Sequence, residues 1–299
     1  MTRKCFVVFL ILLFLQQKIW ASTSLPQAGN ANALAQSPLS PVSGPVLFSP
    51  TSPLFAPLIG DPREPSIGMT SYINERGFEG SLGGTLDLLR WKSSADMEWG
   101  LGISAGLWTL TQNPDLSSLL ADDWFTGLYI SEKTGPFSFR FEFQDQKSNL
   151  GDALSDDEQP FYPYNPAHPD SSLYYFTRNN EDLTISLDAL TGLRLYVGGG
   201  CPAFWEDFDP TESQIFLFSG FEAYSNYFPF LGVSCRGYGT YHFKYEDQAG
   251  GTYNNAVQLG LQWKLDIQQR RSLRLAMIYY EGHSEFGEFY EQFDQHWGI

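Results

Sequence analysis

The sequence predicts an all-β protein: an antiparallel up-and-down transmembrane β-barrel of about 12 strands, with the last one incomplete. Three observations predict it: side chains alternate in character with a period of two, the alternating runs are often ten residues or longer, and the connections alternate between short and long. Alternation alone fits a soluble sandwich with its apolar face inward. Long runs suit a tilted strand in a bilayer, and short turns on one side with long loops on the other are the habit of outer-membrane barrels.

Strands are predicted near 66–74, 78–89, 97–109, 122–131, 136–145, 182–189, 193–199, 213–223, 229–246, 254–266 and 272–281. The clearest is 229–246, where Leu231, Val233, Cys235, Tyr241 and Phe243 share one face and Ser234, Arg236, Thr240, His242 and Lys244 the other. The run 254–266 repeats the pattern, with Val257, Leu259, Leu261, Trp263 and Leu265 against Gln258, Gln262, Lys264 and Asp266. Phe137, Phe139, Phe141 and Phe143 alternate in the same way with Ser138, Arg140, Glu142 and Gln144. Long links are expected at 110–121, 146–181, 200–212 and after Gly282, and short ones at 190–192 and 267–271. Residues 293–299 read as the opening of a twelfth strand. A strand cut short there would leave the first strand an unpaired edge.

Ahead of the strands, Arg3 and Lys4 precede an apolar run from Cys5 to Leu15, and a small residue, Ala21, follows a polar stretch. This is the pattern of a secretory signal peptide. The expected organisation is a signal peptide over 1–21, a disordered Pro/Ser-rich lead over 22–53 and a β-barrel domain over 54–299, exported to a bacterial outer membrane. Apolar residues and prolines alternate through 54–65, which suggests a segment docked inside the barrel or against its base. Cys201 and Cys235 are read as two unpaired cysteines, since the strand map sets them at different heights.

The net charge of −16 would repel a phosphate backbone, so nucleic acid is excluded as a partner. The partners implied are outer-membrane lipid and the outer-membrane insertion machinery, with any small-molecule ligand unknown. With no HExxH, CxxC or phosphate loop in the sequence, no cofactor or metal is expected.

If the apolar faces meet lipid, the lumen receives Arg140, Glu142, Arg194, Arg236, His242, Lys244, Lys264, Asp266 and Arg274, together with Asp87, Asp188 and Glu222. Such a set could be a charged passage or a grip on an anion. The favoured reading is a self-neutralising interior, because small barrels fill themselves with their own side chains. Asp152, Asp156, Asp157 and Glu158, and the stretch 206–209, offer carboxylates for a divalent cation but in the spacing of no calcium loop. His283 and Ser284 are adjacent, yet neighbours on a strand point to opposite faces and cannot pair.

Four stretches, 55–65, 148–152, 194–200 and 282–289, are similar to the bacterial family grouped as domain of unknown function 1207. The resemblance implies an exported β-rich protein with no established activity, one that runs on into a further strand. Members often carry a His-x-Ser-Ser-His-Leu-Gly-Asp-Glu stretch that suggests a lipid hydrolase. Here the matching positions, 145–153, hold Asp145 and Asn149 in place of the histidines, so Ser148 has no neighbouring imidazole. Ser148, Asp145, His283 and Ser284 are therefore weak catalytic candidates. The expected role is a narrow pore or a structural barrel. The alternatives are an outer-membrane hydrolase of lipid or lipopolysaccharide, and a surface-exposed binding protein acting through loop 146–181.

Overall fold

The computed structural model of the protein describes residues 45–47, 52–73, 77–94, 96–112, 119–151, 176–205, 215–230, 232–247, 251–265, 272–289 and 293–299. Among them lie fourteen strands of one antiparallel sheet: β1 (Val46–Leu47), β2 (Gly68–Ser71), β3 (Gly77–Lys92), β4 (Met97–Gln112), β5 (Leu119–Thr134), β6 (Phe137–Leu150), β7 (Phe176–Leu190), β8 (Leu193–Trp205), β9 (Phe216–Tyr224), β10 (Phe228–Phe230), β11 (Val233–Glu246), β12 (Thr252–Lys264), β13 (Ser272–His283) and β14 (Phe293–Gly298). Each predicted run contains a strand, and β14 forms within the predicted twelfth stretch, at Phe293–Gly298. The strands overshoot the predicted ends where polar residues continue the alternation, so that β3, β4 and β5 reach 16 residues each.

Neighbours in sequence are neighbours in the sheet. The path runs β1-β3-β4-β5-β6-β7-β8-β9-β11-β12-β13-β14, with β2 also on β3 and β10 also on β11. Two of the tight reversals turn on a glycine with positive φ, Gly135 between β5 and β6 (+56°) and Gly192 between β7 and β8 (+85°).

The expectation of a transmembrane barrel is corrected by this topology: the sheet is open. A barrel needs a continuous ladder between its first and last strands, and the strand path instead ends at β1 and at β14. The strands available for such a ladder are too short, four residues in β2 and six in β14. Residues 71–73 touch the chain end through one isolated bridge, Tyr72 to Gly298, and three backbone hydrogen bonds: Ser71 N–H to the Ile299 carbonyl, Ile73 N–H to that of Trp297, and Ile299 N–H to that of Ser71. Among the described residues no closed wall forms that could bound a lumen or a pore, and the reading of the strands as transmembrane barrel staves falls with it. The cysteine reading is corrected in part: Cys235 is free and fully buried, but Cys201 is disulfide-bonded.

Period-two alternation still sorts the side chains into two faces. One face is bare and apolar. Along it Leu86, Ile103, Leu128 and Phe143 stand directly opposite one another across β3 to β6, each about half exposed. The other face is covered, by residues 54–65 in the middle and by residues 284–289 near one end. Two apolar clusters anchor these covers. Phe55 and Leu58 pack with Tyr196 and Phe218, and Phe286 and Phe289 pack with Tyr72, Trp108, Leu110, Leu120, Ala121 and Phe125.

Candidate functional site

The covered face is where the chain concentrates its charge, and segment 54–65 is tied to it by its own main chain as well as its side chains. The Leu54 N–H donates to Asp87 of β3 at 2.8 Å and the Ile59 N–H to Glu222 of β9 at 2.6 Å. Arg194 of β8 donates to the Pro57 carbonyl at 3.1 Å. These bonds answer a requirement, because an extended segment laid on a sheet face buries backbone groups that the sheet ladder cannot satisfy. Between them Phe55 is held against two guanidinium groups, those of Arg140 and Arg194, each 4.8 Å from its ring centre.

At its far end the segment turns, with the Asp61 N–H on the Leu58 carbonyl and the Glu64 N–H on that of Asp61. The turn presents Arg63 and Glu64 side by side to different partners. Glu64 takes a two-pronged pair of hydrogen bonds from Arg140 of β6, at 2.9 and 3.0 Å, and the same guanidinium lies 3.3 Å from Glu142. Ser104 donates to Glu142 from the other side. Arg63 lies 3.3 Å from Asp123 of β5 and 3.9 Å from Glu285, above the ring of Phe286.

The strands supply these groups by register. Asp87, Gly102, Tyr129, Glu142 and Asp182 follow one another across β3 to β7. Gly102 is needed there: a Cβ in its place would come within 2.4 Å of the Tyr129 ring, which lies over it to reach Asp87 at 2.8 Å. Further along, Arg194 sits opposite Glu222 in the ladder and lies 3.6 Å from its carboxylate.

Carboxylates crowded out of water hold their protons. Burial and the neighbouring Glu142 push the Asp182 carboxyl up to about 8, and burial pushes Glu285 up to about 8 against the pull of Arg63. Glu246 is the opposite case. Burial raises it, but Lys244 at 2.8 Å and Arg178 at 3.7 Å outweigh burial and hold it at about 2. Burial also lowers the pKa of His242, whose ring nitrogen is 3.0 Å from the Tyr196 hydroxyl.

These residues surround a cavity of about 110 Å³ between segment 54–65, residues 284–287 and the sheet. Of the predicted lumen set, Arg140, Glu142, His242 and Lys244 line it. Arg194 lies outside that cavity, beneath Phe55. Arg236 and Lys264 form a separate group on the same face, with Arg236 bonded to Gln262 at 2.7 Å and both cations over Tyr227. Arg274 stands opposite Gln262 in the ladder, and Asp188 is exposed beside Lys133. Asp266 and the acidic residues Asp152, Asp156, Asp157 and Glu158 lie outside the described residues, as does most of loop 146–181.

The catalytic candidates are not brought together. Ser148 is fully buried on the covered face opposite Asp123, while Asp145, an odd number of residues away on β6, points to the other face. Ser284 lines the cavity, its hydroxyl accepting from the Phe286 N–H, while His283 closes β13 with its N–H on Asn254. Sequence reasoning missed Arg63, Glu64, Asp123, Arg178, Asp182, Glu246 and Glu285. For Asp123 and Asp182 the signal was present but doubled: each has an acidic neighbour, Asp122 or Glu181, on the other face, which hides the alternation.

A family description, Protein of unknown function (DUF1207), matches residues 17–299. No curated protein and no solved structure matches the chain.

Proposed function

We propose, from the premise that the chain belongs to the DUF1207 family of proteins of unknown function, that it is a structural, lipid-contacting protein exported to the bacterial outer membrane. Its charged face is kept shut by its own segment 54–65. The observation that carries this reading is the inversion of the sheet. Leu128 on the bare face is 53% exposed, Leu259 63% and Leu275 57%, whereas Asp123, Glu142 and Glu222 on the covered face are 1–3% exposed. Water would reward the opposite arrangement, at roughly 25 cal/mol for each Å² of apolar surface hidden. A contiguous apolar surface running across four strands is of the kind that marks contact with a membrane or a partner.

The basic start and apolar run of residues 3–15 support export, and lipid is the solvent that suits the bare face. Segment 54–65 supports a structural role, because it fills the middle of the charged face with bonds to β3, β6, β8 and β9. The test is fractionation of the full chain expressed in a Gram-negative host. It should float with outer-membrane vesicles through a density gradient, resist an alkaline wash and leave the vesicles only in detergent. Recovery in the soluble periplasm would overturn the reading.

A further inference from the structure

Along the covered face, cations are matched by acids. Arg63, Arg90, Arg140, Arg178, Arg194 and Lys244 each lie 2.8–3.7 Å from a carboxylate oxygen. Three others on that face, Arg236 of β11, Lys264 of β12 and Arg274 of β13, have no carboxylate partner among the described residues. The exception stands in a chain with 34 acidic residues against 18 Lys and Arg.

The strands bring the three together by register. Arg236 pairs with Gln262, which pairs with Arg274, and Lys264 is the next residue of β12 on the same face. Arg236 and Lys264 both lie over the Tyr227 ring, at 5.0 and 3.6 Å, and Arg236 is 3.8 Å from the centre of Tyr224. Gln262 accepts from Arg236 Nε at 2.7 Å and donates to Ser272 at 2.9 Å, which fixes the guanidinium. Among the described residues nothing bonds to the terminal nitrogens of Arg236, to Lys264 or to Arg274. Glu222 on β9 is already taken by Arg194 at 3.6 Å and by the Tyr224 hydroxyl at 2.9 Å. Like charges held this close repel one another, and an anion would relieve them.

Position is a second and independent observation. β14 pairs with β13 only over Ile278–His283, so among the described residues the edge beside Arg274 is open. At the same level on the bare face stand Phe230 and Trp263, their ring centres 6.2 Å apart, with Leu265 and Leu273 more than half exposed. Aromatic rings bordering an apolar band mark the level of lipid headgroups.

We propose that Arg236, Lys264 and Arg274 form a binding site for a phosphate group. Guanidinium forks match phosphate oxygens in pairs, and an ammonium adds a point charge. A lipid headgroup and the free ion both carry such a group. The open edge and the aromatic pair favour the lipid, a choice that rests on the reading of the bare face as lipid-contacting.

The experiment is a calorimetric titration of the full chain in a maltoside detergent. The probes are dihexanoylphosphatidylglycerol, inorganic phosphate, and dihexanoylglycerol, which has the same chains and no phosphate. The phospholipid should bind saturably and dihexanoylglycerol should not. Arg274→Gln, Arg236→Gln and Lys264→Gln should each weaken binding roughly tenfold, and Lys92→Gln, at an exposed lysine of β3, should leave it unchanged. Arg274 holds no other group in place, so R274Q decides even if R236Q fails to fold. Inorganic phosphate binding as tightly as the phospholipid would support the site with the free ion as its ligand. Binding of neither phosphate probe, equal binding of dihexanoylglycerol, or unaltered binding by R274Q would overturn it. A chain that floats with outer-membrane vesicles yet binds no phosphate loses only this site, whereas a periplasmic chain that binds phosphate here keeps the site and loses the lipid reading.

Discussion

The two faces of this sheet are built from the same strands, often from adjacent residues, yet they are held together differently. On the bare face, neighbours meet directly across the ladder. Leu195 on β8 stands opposite Phe221 on β9, which stands opposite Tyr241 on β11, and the row continues through Val257 and Tyr279 to Trp297. Such pairs contribute a few tenths of a kcal/mol each and tolerate exchange for other apolar residues. The covered face depends on a few charged groups whose partners lie on other strands or on segment 54–65. Removing one leaves the others buried without a partner. The first face is redundant, and the second is vulnerable at single residues.

The comparison breaks most sharply at Arg140. Replacing it with Met leaves Glu64, Glu142 and Asp182 with no cation among them and strips one side of the Phe55 ring. Loss of one member of a buried charge network costs about 3–5 kcal/mol, so R140M should lower the unfolding free energy measured by denaturant titration by that much. An apolar exchange on the bare face, such as Leu275→Ile, should move it by less than about 1 kcal/mol. Equal effects at the two sites would remove the distinction.

A smaller effect sharpens it. Asp182 has a folded pKa raised to about 8, with burial the main cause, and its ordinary value in the unfolded chain is 3.8. An acid shifted upward contributes its stability below the unfolded pKa and loses it as pH rises towards the folded one. Glu285 follows the same course from 4.5 to about 8. Glu246, held at about 2, works in the other direction, its contribution being present above 4.5 and lost as pH falls towards 2. The melting temperature should therefore be highest near pH 4–5, and fall by several degrees towards pH 8. Asp182→Asn should make the upper limb shallower, leaving the part that Glu285 contributes, and leave the acid limb in place. A profile that rises from pH 5 to pH 8 would contradict the charge arrangement around Arg140.

Much of this was legible in the sequence. Alternation located the strands because it reports the faces directly, and the short link at 190–192 marked a reversal where Gly192 takes a positive φ. The docking of residues 54–65 could be read from apolar residues spaced between prolines. Closure could not be read. Whether the first and last strands join depends on the hydrogen-bond register between residues some two hundred positions apart, and an alternating pattern fits an open sheet as well as a closed one. The partners of the charged residues were equally hidden. Arg140 and Glu142 were found from β6 alone, but Glu64 lies 76 residues away from Arg140, in a segment with no periodicity. Ion pairs across a sheet leave no spacing in the chain to detect.

The central claim, that the bare face lies against lipid and the opposite face does not, is tested most directly by nitroxide labels placed one at a time along β12 in lipid vesicles. At Val257, Leu259 and Leu261 collisions with oxygen should exceed those with a water-soluble nickel reagent, and at Ala256, Gln258 and Gln262 the label should be shielded from both or reached from water. A ratio that favours oxygen at every second residue supports the account. Labels at 257, 259 and 261 that meet the nickel reagent as freely as a soluble protein's surface does would contradict it.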